Sequence, residues 1–146
     1  QTEAEKTLSV LLQHLRVPHV IASRDAVPGG IYRIPVWFPE QNAALELEQL
    51  GDRLASGSLS GTAQLRRRQL RDGGLKVHAF DPASFRGAPE LLRLRAVAEV
   101  VAPSCPEAAA WLRSGEAIQA KAEAARQLAL SSGRQDENPR RDTEIA

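Results

Sequence analysis

The side chains with the most chemical potential in this sequence are one cysteine, three histidines and a dense run of arginines. Cys105 sits in the segment Pro103-Ser104-Cys105-Pro106, at what the pattern reads as the mouth of a helix. A helix N-terminus lowers a thiol's pKa and favours the nucleophilic thiolate. A cysteine hydrolase also needs an imidazole base and an orienting acid or amide. His78 and Asp81 are the candidates for those roles, on a strand end and the turn after it. Nothing in their spacing brings them to the sulfur, and a lone cysteine is more often a small buried apolar residue. No catalytic residue is therefore assigned.

His14 and His19 are five apart with Pro18 between them, so they do not form the i, i+4 pair of a metal-binding helix. No carboxylate completes a facial triad by spacing, and one cysteine excludes a CxxC redox motif, a cysteine-based zinc cluster and an internal disulfide. The glycine pairs in Pro28-Gly29-Gly30 and Asp72-Gly73-Gly74 match neither dinucleotide nor P-loop fingerprints and read as turns. No cofactor is expected. Glu46 and Glu48, two apart on an expected helix, point to different faces and read as surface charge.

The strongest unusual feature is Arg66-Arg67-Arg68-Gln69-Leu70-Arg71, four guanidinium groups in six residues beside a Gly/Ser linker. Guanidinium is a planar fork of donors suited to phosphates and carboxylates. Such a patch can hold nucleic-acid phosphates, an acidic lipid surface or an acidic protein. The bland alternative is a solvated helix balanced by Asp52 and Asp72. Two facts count against nucleic acid: no aromatic residue is interleaved for base stacking, and the overall pI is only about 8.2. Sixteen of the nineteen basic residues are arginine, which a GC-rich coding sequence also explains.

A second feature is Ile31 to Phe38, which carries three of the six aromatic residues: Tyr32, Trp37 and Phe38. It reads as a strand, and Pro35 removes a ladder donor, which points to a sheet edge or a bulge. A free edge can pair with another chain's strand.

The elements that must position these groups follow from periodicity. Leu8, Leu11, Leu12 and Leu15 fall on one face of a helix over 2–16. A short strand at 19–22, the strand at 31–38, a helix over 40–55 with Leu47, Leu50 and Leu54 inward, and the linker 56–61 come next. The basic helix follows, then a strand at 75–80 and a helix opening at Pro89. Residues 96–102 fit helix or strand. Residues 106–131 read as helix, with Trp111, Ile118, Ala122 and Ala125 on its inward face and Gly115 as a break.

The 146 residues suffice for one core without metal or disulfide. The expected organisation is one globular domain over 1–131 and a flexible polar tail over 132–146. The expected fold is α/β, a layered sheet of three or four strands covered by helices, with a mostly helical fold carrying a small hairpin as the alternative. No run is long and apolar enough to span a bilayer. The absence of methionine suggests a processed chain or an excerpt and leaves the compartment open. No resemblance to a known family is specific enough to name.

The leading functional expectation is a non-enzymatic interaction or assembly subunit. It would dock onto a protein partner through Tyr32, Trp37 and Phe38 and through Arg66, Arg67, Arg68 and Arg71. A nucleic-acid contact through the same arginines stands second, and a cysteine-dependent hydrolase third.

Overall fold

The structure, a computed structural model, describes residues 2–48, 60–85 and 87–145. Helix α1 (Glu3–His14) opens on a capping box. Thr2 Oγ1 accepts from the Glu5 amide at 3.2 Å while the Thr2 amide donates to Glu5 Oε2 at 3.3 Å. Its leucine stripe is buried as the spacing requires. Arg16, at φ 61°, takes the left-handed conformation that ends many helices, and Pro18 prevents continuation.

Three strands follow as an antiparallel meander: β1 (Val20–Ser23), β2 (Ile34–Phe38) and β3 (Ala43–Leu47). Helix α2 (Gly61–Asp72) then returns the chain to β4 (Lys76–Phe80), which pairs in parallel with β3. The sheet order is β1-β2-β3-β4. Helices α3 (Glu90–Val101), α4 (Pro106–Leu112) and α5 (Gly115–Ile145) complete the chain. This is an α/β domain with a mixed four-stranded sheet.

The larger core lies on one face of the sheet. There the leucines of α1 meet Val36, Phe38, Leu45 and Phe80 and the α3 residues Leu94, Val97 and Val101. Each such fully buried side chain contributes roughly 1.5–3 kcal/mol. The other face holds a smaller cluster of Ile34, Ala44, Leu70 and Leu75, covered by α2 and flanked by Tyr32 and Trp37.

Three expectations change, and the open choice at 96–101 resolves to helix. The helix expected over 40–55 is strand β3 in its described part; Leu50 and Leu54 lie outside the described residues. Ala-Ala-Leu-Glu-Leu has high helix propensity, but pairing on both sides and burial of Ala43 to Glu46 override it. The strand carrying Tyr32, Trp37 and Phe38 is no edge: β2 lies between β1 and β3, so strand pairing with a partner is not open to it. Pro35 is accommodated because Ala22, opposite it in the register, leaves regular strand geometry at φ 55°. The α4–α5 break at Arg113 and Ser114 changes the helix phase, so Ala117 and Ala120 are buried and Ile118 is 67% exposed. The polar segment from 132 falls within α5, whose backbone is helical to Ile145.

Among the described residues, no helix is long and apolar enough to cross a membrane.

Candidate functional site

Burial takes the sulfur considered for hydrolysis out of reach of solvent, and the histidine and aspartate candidates each have another bonded partner. Cys105 is fully buried, and burial first, then the nearby Glu107 carboxylate, push its thiol up to about 11. At neutral pH it is a protonated apolar group. His78 Nε2 shares a 2.7 Å hydrogen bond with Ser104 Oγ, the residue before the cysteine. Burial, with a smaller contribution from Lys76, lowers the His78 pKa. Asp81 Oδ1 accepts from the Ala83 amide at 2.9 Å, a local turn contact. His14 joins Glu116 at 3.0 Å, and His19 joins Ser9 at 2.9 Å. No group of three metal-ligating side chains occurs among the described residues.

The aromatic trio divides, with Phe38 buried and Tyr32 and Trp37 half-buried. Phe38 is fully buried in the larger core, and Trp37 packs on the smaller cluster. Tyr32 lies beneath Arg66, whose guanidinium carbon is 5.0 Å from the ring centroid. The tertiary fold thus supplies an aromatic ring to the arginine cluster that the local sequence lacks.

The four arginines divide by the geometry of α2. Ser60 caps this helix, its Oγ accepting from the Ala63 amide at 3.2 Å. Arg66 faces the end of the sheet. Its Nε and Nη2 donate to the Glu46 carboxylate, and Nη2 also donates to the Arg33 carbonyl at 2.8 Å. Arg67 forms an ion pair with Glu48 at 3.5 Å. Arg68 and Arg71 are exposed and, with Gln64, Arg67 and Asp72, line a shallow groove of ≈ 310 Å³ along the outer face of the helix. One run of arginines therefore builds an inner pair held by carboxylates and an outer pair presented to solvent.

A third arginine joins the inner pair from β2's entry. Arg33 grips Glu5 in a two-pronged bond, Nη1 to Oε1 and Nη2 to Oε2, both at 2.7 Å. Those bonds hold the Glu5 carboxyl below its ordinary range, against the opposing effect of burial. Arg33, Glu46, Leu47, Thr62, Arg66 and Arg67, with Glu5 behind them, line a cleft of ≈ 330 Å³ where the carboxyl end of β3 meets the start of β2.

Exposure decides what this cleft offers an incoming group. The Arg33 side chain is 36% exposed against 3% for Glu5, and Arg66 is 33% exposed against 7% for Glu46. The carboxylates form the floor, and the guanidinium groups form the mouth. Chemically, the mouth accepts anions, and the acids below fix the orientation of the arginines that receive them.

Sequence reasoning missed Glu5, Arg33 and Glu46. Glu5 and Arg33 are 28 residues apart, with no local pattern joining them. Glu46 was misplaced because the segment read as helix; on a strand, positions two apart share a face. A signal did exist in the matched pairs Glu46, Glu48 and Arg66, Arg67 flanking the linker, but it needs the strand assignment to be visible.

No family model matches the chain, and no curated protein matches its sequence. Among solved structures, the catalytic domain of the homing endonuclease I-Bth0305I is similar at a TM-score of 0.41 and 15% identity, over 57% of this chain and 80% of that one.

Proposed function

We propose that this chain is a nucleic-acid-binding module that holds backbone phosphates on the outer face of α2. The observation that carries this is the division of the arginine run. With Arg66 and Arg67 committed to Glu46 and Glu48, Arg68 and Arg71 stand exposed in a groove where these two arginines outnumber one acid, Asp72. Residues 64, 67, 68 and 71 recur at helical spacing, so the donors form a stripe along the helix rather than a scattered charge. Contacts of this kind are sequence-independent and position a strand without reading its bases.

The test is fluorescence anisotropy with a labelled oligonucleotide across a salt series. Affinity should fall linearly on log–log axes as phosphate contacts release counterions. The double variant Arg68→Gln/Arg71→Gln should flatten that slope by about 1.5, at roughly 0.7–0.9 per lost contact. Affinity indifferent to salt, or a variant that binds like wild type, would overturn the proposal.

A protein partner on α5 is the second reading. What favours it is the exposure of Ile118, Leu128 and Leu130 along that helix. Light scattering and partner capture with Leu128→Ser/Leu130→Ser, against an unchanged oligonucleotide affinity, would separate the two surfaces.

A further inference from the structure

We infer that the cleft at the end of the sheet is a second phosphate subsite, continuous with the α2 stripe, and that the bound nucleic acid is a single strand. This rests on the nucleic-acid proposal above and specifies its ligand.

Donor bookkeeping supports the subsite. Arg33 spends one hydrogen from each Nη on Glu5, which leaves Nε and the second hydrogen of each Nη. Arg66 spends Nε and both hydrogens of Nη2 on Glu46 and the Arg33 carbonyl, and its Nη1 makes no hydrogen bond among the described residues. These remaining donors belong to the side chains that form the mouth, above the buried carboxylates. Each guanidinium is already oriented, so little further side-chain entropy is lost when a phosphate is bound. Thr62 and Ala63, in the first turn of α2, line the same cleft, and the positive end of the helix adds to the field of the arginines.

Continuity comes from Arg67, which lines both the cleft and the outer groove. A polyanion lying along Arg71, Arg68 and Arg67 is thereby led to Arg66 and Arg33. The cleft, at ≈ 330 Å³, has room for one backbone group and its sugar. A paired duplex keeps both backbones on the outside of a wide cylinder and can use the outer stripe but not the cleft. A single strand can use both, so it makes more phosphate contacts and shows the steeper dependence on the inner arginines.

The experiment compares single-stranded RNA, single-stranded DNA and duplex DNA of one sequence and length, binding to the full chain by anisotropy. Two variants probe the cleft. Glu5→Gln/Arg33→Gln removes the subsite while leaving no buried charge, and glutamine retains the capping box with Thr2. Arg66→Lys keeps a positive charge beside Glu46 but removes the planar fork.

Single strands should bind about tenfold more tightly than duplex. Either cleft variant should reduce that preference several-fold with duplex affinity unchanged; Glu5→Gln/Arg33→Gln should also lower the single-strand salt slope by about 0.7, one lost contact, whereas Arg66→Lys, which keeps its charge, should leave the slope as it is. Circular dichroism confirms that each variant is folded, and agreement between the two excludes a purely structural cause. Equal affinity for duplex and single strand, or wild-type binding by both cleft variants while Arg68→Gln/Arg71→Gln still weakens binding, would overturn this inference alone. Absence of salt-dependent binding to every oligonucleotide would overturn the nucleic-acid proposal itself.

Discussion

Replacing Arg33 by glutamine strands the Glu5 carboxylate. Glu5 is 3% exposed and loses both 2.7 Å bonds, keeping only the Thr2 amide at 3.3 Å. Removing one partner of a buried ion pair costs about 3–5 kcal/mol. Arg33 is itself 36% exposed, so solvent screening reduces this to about 2–3 kcal/mol. For a chain of this size that is a fall in Tm of about 5–10 °C.

The sign with pH gives a sharper check. In the wild type the folded Glu5 pKa lies below its ordinary value of 4.5, chiefly through the Arg33 hydrogen bonds. Its stabilising contribution is therefore complete above that value and is lost as pH falls through the lower, folded pKa. In Arg33→Gln, burial is left to raise the pKa instead, so the defect should be largest at neutral pH and shrink in acid as the carboxyl takes a proton. Urea denaturation at neutral pH and again in the acid carboxylate range measures both points. Glu5→Gln/Arg33→Gln should recover most of the loss at neutral pH. A defect in Arg33→Gln that is independent of pH, or no larger than that of the double variant, would refute the reasoning.

Two further outcomes follow from groups in the interior. With its pKa moved from 9.0 to about 11, Cys105 should react with a thiol reagent at neutral pH at least about a hundredfold more slowly than in the unfolded chain; rapid native-state labelling would contradict its burial. The Trp37 indole Nε1 is buried with no hydrogen-bond partner among the described residues. Trp37→Phe should therefore change stability by less than about 1 kcal/mol in urea denaturation, and a loss above about 2 kcal/mol would show that the indole is satisfied.

The parts of the fold that were legible in the sequence are those with local determinants. The Thr2–Glu5 box and the leucine stripe define α1, Pro89 opens the segment that becomes α3, and alternation marks β4 to within a residue. Helix α2 was also plain. What local signals could not give was β3, whose composition favours helix and whose strand form depends on neighbours on both sides. The position of β2 within the sheet was lost for a related reason. Pro35 argues for an edge only if its partner strand stays regular, and Ala22 does not. The candidate site inherits both errors. Arg66 and Arg67 were visible, but their division from Arg68 and Arg71 depends on Glu46 and Glu48 sharing a strand end. The Glu5–Arg33 bond joins segments 28 residues apart, and only the packing of α1 on the sheet brings them together.

The most direct measurement of where this chain meets its ligand is amide chemical-shift mapping of the 146-residue chain during titration with a single-stranded oligonucleotide. Perturbations should concentrate at residues 60–72 and around Arg33, and the edge strand β1 and α4 should stay silent. Shifts centred on α4 or α5 with α2 unmoved, or none at any concentration, would contradict a phosphate-binding role for the arginine face.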